Sequence, residues 1–170
     1  MPNHTHLILV PSDEDGLRRA LSRVHRAYAG HIHERLKRTG HFWQGRFGCV
    51  AMDEEHLNAA FRYVALNPVR AGLVARAQDW NWSSAKAQLR LGHDALTDVR
   101  ATLARVPDFA ELLAAAEDEE ATKRLRRAES VGRPIGSEQF LADLERRCER
   151  SLQPAKRGRP RREVISALSR

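Results

Sequence analysis

The chain has 170 residues and is basic, with a net charge of +7 and a pI near 10.2. Its residues are 42% hydrophobic, but no apolar run approaches a membrane-spanning length, and the first ten residues lack a signal-peptide pattern. The two cysteines, Cys49 and Cys148, are far apart, which argues against a disulfide framework and against a structural zinc site. We therefore expect a cytoplasmic protein without a membrane partner.

The first predicted element is a β-strand over residues 4–10, in the segment MPNHTHLILVP. Its side chains alternate with a period of two, the pattern of a strand, and the run ends at a proline. Side chains two residues apart on a strand point the same way, so His4 and His6 would stand side by side. Two neighbouring imidazoles are half of a metal site, although exposed histidines at a strand edge fit the pattern equally well.

The next predicted element is a long helix that starts near Asp15 and ends at Gly40. Its apolar residues recur every three or four positions, which is the spacing of a helical stripe. The stripe consists of Leu17, Leu21, Val24, Tyr28, Ile32 and Leu36. This position predicts that Tyr28 is buried. The aromatic segment that follows, residues 42–52, predicts a second strand.

A second helix is predicted from its N-cap, Asp53, to Pro68, because aspartate caps helices and proline interrupts them. Tyr63 and Asn67 are four residues apart and share one face of this helix, away from its apolar residues. The pair is either a chemically active tyrosine with a polar neighbour, or a half-buried aromatic beside a residue that only ends the helix. Tyr63 is the better candidate for chemistry, since burial explains Tyr28.

The character of the sequence changes near position 91, which divides the chain into a first domain, 1–90, and a helical, basic extension, 91–170. Residues 101–127 are rich in alanine, leucine and charge and predict helix, interrupted near Pro107. A later amphipathic helix is predicted to begin at its N-cap, Ser137.

Basic residues are concentrated in two regions. Residues 17–46 contain eight lysines and arginines against one acid, and a second cluster runs from Lys123 to Arg162. The part of that cluster over 155–162 also contains proline and glycine, which is typical of flexible chain. Such density indicates a polyanionic partner, most often nucleic acid, and a solvated basic surface without a partner is the alternative.

Four motifs, in this order, carry a family resemblance: MPNHTHLILVP, GHFWQGRF, FRYVALNPVRAGLV and WNWSSAKAQL. Together they resemble the REP-associated tyrosine transposases, bacterial relatives of the smallest single-tyrosine insertion-sequence transposases. The resemblance covers about residues 1–90, and VGRPIGSEQFLADLE and KRGRPRR are similar to the basic C-terminal region of that family. The His-Thr-His motif departs from the usual apolar middle residue, although threonine suits a strand.

The resemblance implies an α+β fold with an antiparallel, ferredoxin-like sheet and flanking helices, followed by the helical basic extension. Family members have a strand and a helix before the histidine strand, and three residues precede His4, so we expect the chain to be N-terminally shortened. The implied activity is metal-dependent cleavage and rejoining of single-stranded DNA at hairpin-forming repeats. It proceeds through a 5′-phosphotyrosine intermediate.

Residue by residue, the resemblance makes Tyr63 the nucleophile, and it makes His4, His6 and Asn67 the ligands of a divalent metal, Mg²⁺ or Mn²⁺. A hard divalent ion would neutralise the charge that builds on the phosphate oxygens during in-line attack. Two imidazoles and one amide oxygen would leave the rest of its coordination shell to DNA and water.

Arginines of the two basic regions are candidate contacts to the phosphates of single-stranded or hairpin DNA. They are Arg18, Arg19, Arg23, Arg26, Arg46, Arg157 and Arg159. Trp43 and the phenylalanines beside it could stack on unpaired bases, or pack in the core. Two alternatives stay open: a DNA-binding remnant of such an enzyme that no longer cuts, and a general nucleic-acid-binding protein. The expected oligomeric state is monomer or homodimer.

Overall fold

The computed structural model describes residues 3–116 and 118–152, where the chain forms seven α-helices and no β-sheet. The helices are α1 (Gly16–Leu36), α2 (Glu54–Arg70), α3 (Ala85–Gln88), α4 (Val99–Leu103), α5 (Phe109–Ala114), α6 (Glu119–Val131) and α7 (Glu138–Cys148). A short 3-10 helix, Ala77–Asp79, lies between α2 and α3. None of these helices is long and apolar enough to cross a membrane.

Helix α2 is the centre of the fold, because it packs against both α5 and α6. Asp53 caps it, as predicted, by accepting the His56 N–H at 3.1 Å. The prediction that the helix ends at Pro68 is wrong, because α2 continues to Arg70 and Gly72 follows at a φ of 66°. Proline in the last turn removes one helical hydrogen bond, and Pro68 is itself buried, so packing outweighs that loss.

Two small hydrophobic cores flank α2. On one side, Ala65 of α2 shares a core with Phe109 of α5. On the other side, Ala60 of α2 shares a core with Leu125 and Ala128 of α6. Because α2 precedes position 91 whereas α5 and α6 follow it, both cores join the two predicted parts of the chain.

The predicted antiparallel ferredoxin-like sheet is wrong for the described residues. Residues 4–10 and 42–52 form no ladder, and the isolated bridge there joins Met52 to Ile135 in parallel. In that bridge the Ile135 N–H donates to the Ala51 carbonyl at 2.9 Å. A strand gains its backbone hydrogen bonds only from a neighbouring strand, and these two segments have helices beside them instead.

Residues 4–10 keep the predicted alternation only at their middle positions, since His4 is exposed and Val10 is 88% exposed. His6 and Ile8 are partly buried, and Ile8 packs on the core between α2 and α6. Leu7 and Leu9 point away and are 59% and 50% exposed. The backbone groups of a helix are already hydrogen-bonded within the helix. The segment 4–10 therefore packs on α2 and α6 through its side chains, without backbone pairing.

Helix α1 contributes no residue to either core. The prediction that Tyr28 is buried is wrong, because no residue of α1 is buried and Tyr28 is 51% exposed. Trp43 stacks on His25, with ring centroids 4.3 Å apart, and donates its Nε1–H to the His25 carbonyl at 3.0 Å. Phe42 lies edge-on to Tyr28, with centroids 5.6 Å apart. This aromatic contact covers the α1 stripe only in part.

Asp53 also joins the start of α2 to the start of α7. Its Oδ1 lies 2.6 Å from the His56 Nδ1, and its Oδ2 accepts the Ser137 N–H at 2.7 Å. Burial alone raises the pKa of Asp53, but the hydrogen bonds from Ser137 and His56 outweigh it and lower the pKa from 3.8 to about 2. Ser137 in turn caps α7, as predicted, by accepting the Phe140 N–H at 3.2 Å.

We expect Asp53→Ala to lower the free energy of unfolding by about 2 kcal/mol, since it removes the α2 cap and the acceptor of the Ser137 N–H. Folding lowers the pKa of Asp53, so its contribution is fully present above the ordinary value of 3.8 and is lost as the pH falls toward 2. Denaturant unfolding of both proteins, from neutral pH to about pH 3, should show the difference shrinking in acid.

The matched control is Asp108→Ala, which removes a cap that serves only the short helix α5. It should cost about 1 kcal/mol or less. An effect of Asp53→Ala that equals the control, or that stays constant as the pH falls, would contradict the role of Asp53 in joining α2 to α7.

Candidate functional site

The N-terminal segment places His6 beside Tyr63 and His4 beside His6. The ring centroids of His4 and His6 are 4.9 Å apart with the planes nearly perpendicular, and the centroid of His6 lies 5.7 Å from that of Tyr63. Tyr63 projects from the middle of α2 and borders the core between α2 and α6, where Ile8 also packs. The insertion of Ile8 therefore brings three of the predicted site residues, distant in sequence, into one cluster.

His6 is fixed by a residue of α6. Its Nδ1 lies 3.1 Å from the Oε1 of Glu129, and its side chain is only 15% exposed. Burial lowers the pKa of His6 from 6.5, the negative charge of Glu129 opposes this shift, and the positive charges of His4 and Arg70 reinforce it. These opposing effects leave the pKa of His6 below its ordinary value.

The second ring nitrogen of His6, Nε2, is buried and has no hydrogen-bond partner among the described residues. A carboxylate cannot donate, so the contact with Glu129 requires the proton of the neutral ring to lie on Nδ1. The lone pair is then on Nε2. A buried imidazole nitrogen that keeps a lone pair and lacks a partner suits a metal ligand.

Two guanidinium groups lie over the Tyr63 ring. The central carbon of Arg70 is 4.7 Å from the ring centroid, and that of Arg126, from α6, is 5.8 Å away. Arg70 also donates a hydrogen bond to the Tyr63 carbonyl. Guanidinium groups bind phosphate oxygens with paired N–H donors, so the surroundings of Tyr63 suit a phosphate group.

Asn67 lies one helical turn after Tyr63 and is partly buried. Among the described residues, no hydrogen bond joins its amide to His4 or His6. Nor do three or more His, Cys, Asp or Glu side chains in that part of the chain form a group that could hold a metal ion. The two histidines therefore fit a metal only with oxygen ligands from elsewhere, such as Asn67, DNA or water.

The predicted DNA-binding arginines of the described residues are all exposed. Arg18 forms an ion pair with Asp15, and Arg19 forms one with Asp13 at 2.6 Å, both just before α1. The other three make no ion pair with any described residue. Arg157 and Arg159 lie outside the described residues, so their role stays a prediction.

Sequence reasoning missed three residues that face the cluster: Arg70, Arg126 and Glu129. Arg70 follows Tyr63 by two helical turns, so helical spacing could have identified it. Arg126 and Glu129 belong to the predicted basic extension, and no spacing relates them to Tyr63 or to His6. Their role depends on the packing of α6 against α2.

No protein-family model, no curated protein and no solved structure compared with this chain matches it. The family resemblance therefore stays a prediction based on its four motifs. The case for a function rests on the cluster that His4, His6 and Tyr63 form with Glu129 and the two arginines.

Proposed function

We propose that the chain is a transposase or endonuclease that cleaves and rejoins single-stranded DNA at hairpin-forming repeats. Tyr63 is the nucleophile, and His4 and His6 hold a divalent metal, Mg²⁺ or Mn²⁺, with Asn67 as a further ligand. The observation that carries the proposal is the contact between His6 and Tyr63, whose ring centroids are 5.7 Å apart. Transfer of a phosphodiester to a phenol needs a nucleophile beside groups that stabilise negative charge.

Cleavage forms one bond and breaks one. The Tyr63 hydroxyl oxygen attacks the phosphorus in line with the 3′ oxygen, the new bond joins Tyr63 to phosphorus, and the bond from phosphorus to the 3′ oxygen breaks. The phenol proton passes to water, and the departing oxygen takes a proton from water to become a 3′-hydroxyl. A divalent ion, when bound, would neutralise charge on the non-bridging oxygens.

Rejoining runs the same step in reverse. A 3′-hydroxyl attacks the phosphorus of the 5′-phosphotyrosine, and Tyr63 leaves with a proton from water as the hydroxyl proton is lost to water. One phosphodiester is exchanged for another, so the bond energy is kept and no nucleotide cofactor is consumed. During both steps Arg70 and Arg126, which lie over the Tyr63 ring, hold the phosphate.

The surface of α1 and the loop after it suits a single strand. Arg23, Arg26 and Arg46 are exposed there, and Phe42 and Trp43 remain 36% and 38% exposed despite their contacts with α1. Exposed arginines attract phosphates and exposed aromatic rings stack on unpaired bases, with little dependence on sequence. These residues supply general affinity, and the cluster around Tyr63 supplies the chemistry.

We expect Tyr63→Phe to abolish the covalent protein–DNA adduct, because it removes the attacking oxygen while keeping the ring that packs near Ala60. DNA affinity should change little. The measurement is an SDS-stable adduct with labelled hairpin DNA and Mn²⁺. Tyr28→Phe, at the exposed tyrosine of α1, is the control and should keep full adduct formation.

Persistence of the adduct in Tyr63→Phe would contradict the assignment of the nucleophile. If the wild-type protein forms no adduct but prefers hairpins to random single strands, it is a non-cutting DNA-binding remnant. Equal affinity for hairpin DNA and for random single-stranded DNA would identify a general nucleic-acid-binding protein.

We expect His4→Ala and His6→Ala each to abolish metal-dependent cleavage, since each removes one imidazole of the pair. Chelator should inactivate the wild type, and Mg²⁺ or Mn²⁺ should restore it. His93→Ala, at an exposed histidine, is the control and should be active. Cleavage that survives chelation, or stoichiometric zinc retained through dialysis, would contradict the proposed site.

We expect Arg126→Ala to slow adduct formation about 100-fold, because it removes a cation from the phosphate that Tyr63 attacks. Its neighbour Arg127, also exposed on α6, provides the matched control, because Arg127→Ala removes the same charge from the chain. DNA affinity should fall with salt equally in both variants. Equal adduct rates in the two variants would mean that Arg126 acts only through general charge.

A further inference from the structure

Glu129 is the one acidic side chain in contact with the candidate site among the described residues. It projects from α6, within the extension that sequence patterns assigned to DNA binding. Its carboxylate contacts His6 at 3.1 Å and is half exposed, whereas the His6 ring is nearly covered. An acid beside a site for phosphate is electrostatically unfavourable, so its presence calls for a specific role.

We infer that Glu129 is a positioning residue that accepts the Nδ1–H of His6 and so leaves Nε2 as the metal-binding atom. The inference rests on the proposed function. It is supported by two observations together: the contact between Nδ1 and the Glu129 carboxylate, and the buried Nε2 without a partner among the described residues. A carboxylate behind a metal-binding imidazole fixes both its tautomer and its orientation.

The place of Glu129 in α6 holds it in position. Asp118 caps the helix through the Ala121 N–H at 2.9 Å, and Gly132 ends it at a φ of 67°. Ala128, the residue directly before Glu129, is buried in the core between α2 and α6. The packing of Ala128 therefore fixes the point on α6 from which the Glu129 side chain projects.

A direct ligand role for Glu129 is the competing interpretation. The contact with Nδ1 uses one carboxylate oxygen, and Glu129 forms no group of three potential ligands with His4 and His6. The variant Glu129→Gln separates the two roles. Its amide oxygen still accepts the Nδ1–H, but it lacks the negative charge with which a carboxylate would bind a metal directly.

The first test reads the tautomer in the metal-free protein. Long-range ¹H–¹⁵N correlation of the imidazoles, with His6 identified by comparison with His6→Ala, should show the Nδ1–H tautomer in the wild type. Glu129→Ala should populate the Nε2–H tautomer, and Glu129→Gln should keep the wild-type one. Glu120→Ala, on the same helix but paired with Lys123, is the control and should leave His6 unchanged.

The second test measures Mn²⁺ affinity by calorimetry. We expect Glu129→Ala to weaken Mn²⁺ binding about 10- to 100-fold, and Glu129→Gln to retain affinity within a few-fold. The inference is overturned if Glu129→Ala binds Mn²⁺ like the wild type. It is also overturned if the tautomer is unchanged, or if Glu129→Gln is as weak as Glu129→Ala, which would assign Glu129 as a ligand.

These results separate this inference from the proposed function. If the wild type forms no DNA adduct but Glu129→Ala shifts the His6 tautomer and weakens Mn²⁺ binding, the nuclease proposal fails and the role of Glu129 stands. If the wild type forms a metal-dependent adduct and Glu129→Ala changes neither readout, only the role of Glu129 fails.

Discussion

The packing of α6 against α2 is the interaction on which the rest of the structure depends. Leu125 and Ala128 of α6 are buried against Ala60 of α2, and the residues directly after them, Arg126 and Glu129, therefore point toward Tyr63 and His6. Truncating a buried leucine typically costs about 2–5 kcal/mol. Such a truncation would weaken the packing that holds Arg126 and Glu129 beside Tyr63 and His6.

The cluster combines a carboxylate with two guanidinium groups, and a carboxylate repels the phosphate that guanidinium groups attract. Glu129 contacts His6, whereas Arg70 and Arg126 lie over the Tyr63 ring. In the proposed function, the carboxylate would orient a metal ligand and the two guanidinium groups would face the phosphate. With a nucleic acid bound as proposed, this separation would keep the carboxylate away from the phosphate.

The wrong prediction of a sheet has a definite cause. Alternation along residues 4–10 predicts that one side is buried, but it does not say whether a strand or a helix lies beneath it. In the structure His6 and Ile8 do face inward, onto α2 and α6, and the backbone forms no ladder. The apolar stripe of α1 shows a related limit: its spacing correctly predicted the helix, but the prediction that Tyr28 is buried was wrong, because no neighbouring element covers it fully.

The sequence by itself determined the local features of this protein. Asp53 and Ser137 were recognisable as helix caps, and the helical spacing of Tyr63 and Asn67 followed from four residues of separation, because each depends only on neighbours in the chain. The tertiary structure alone decided that His6 meets Tyr63, and that Glu129 and Arg126 join them. These contacts depend on how α6 packs against α2 and on the surface that this pair offers to residues 4–10, and no local spacing encodes either.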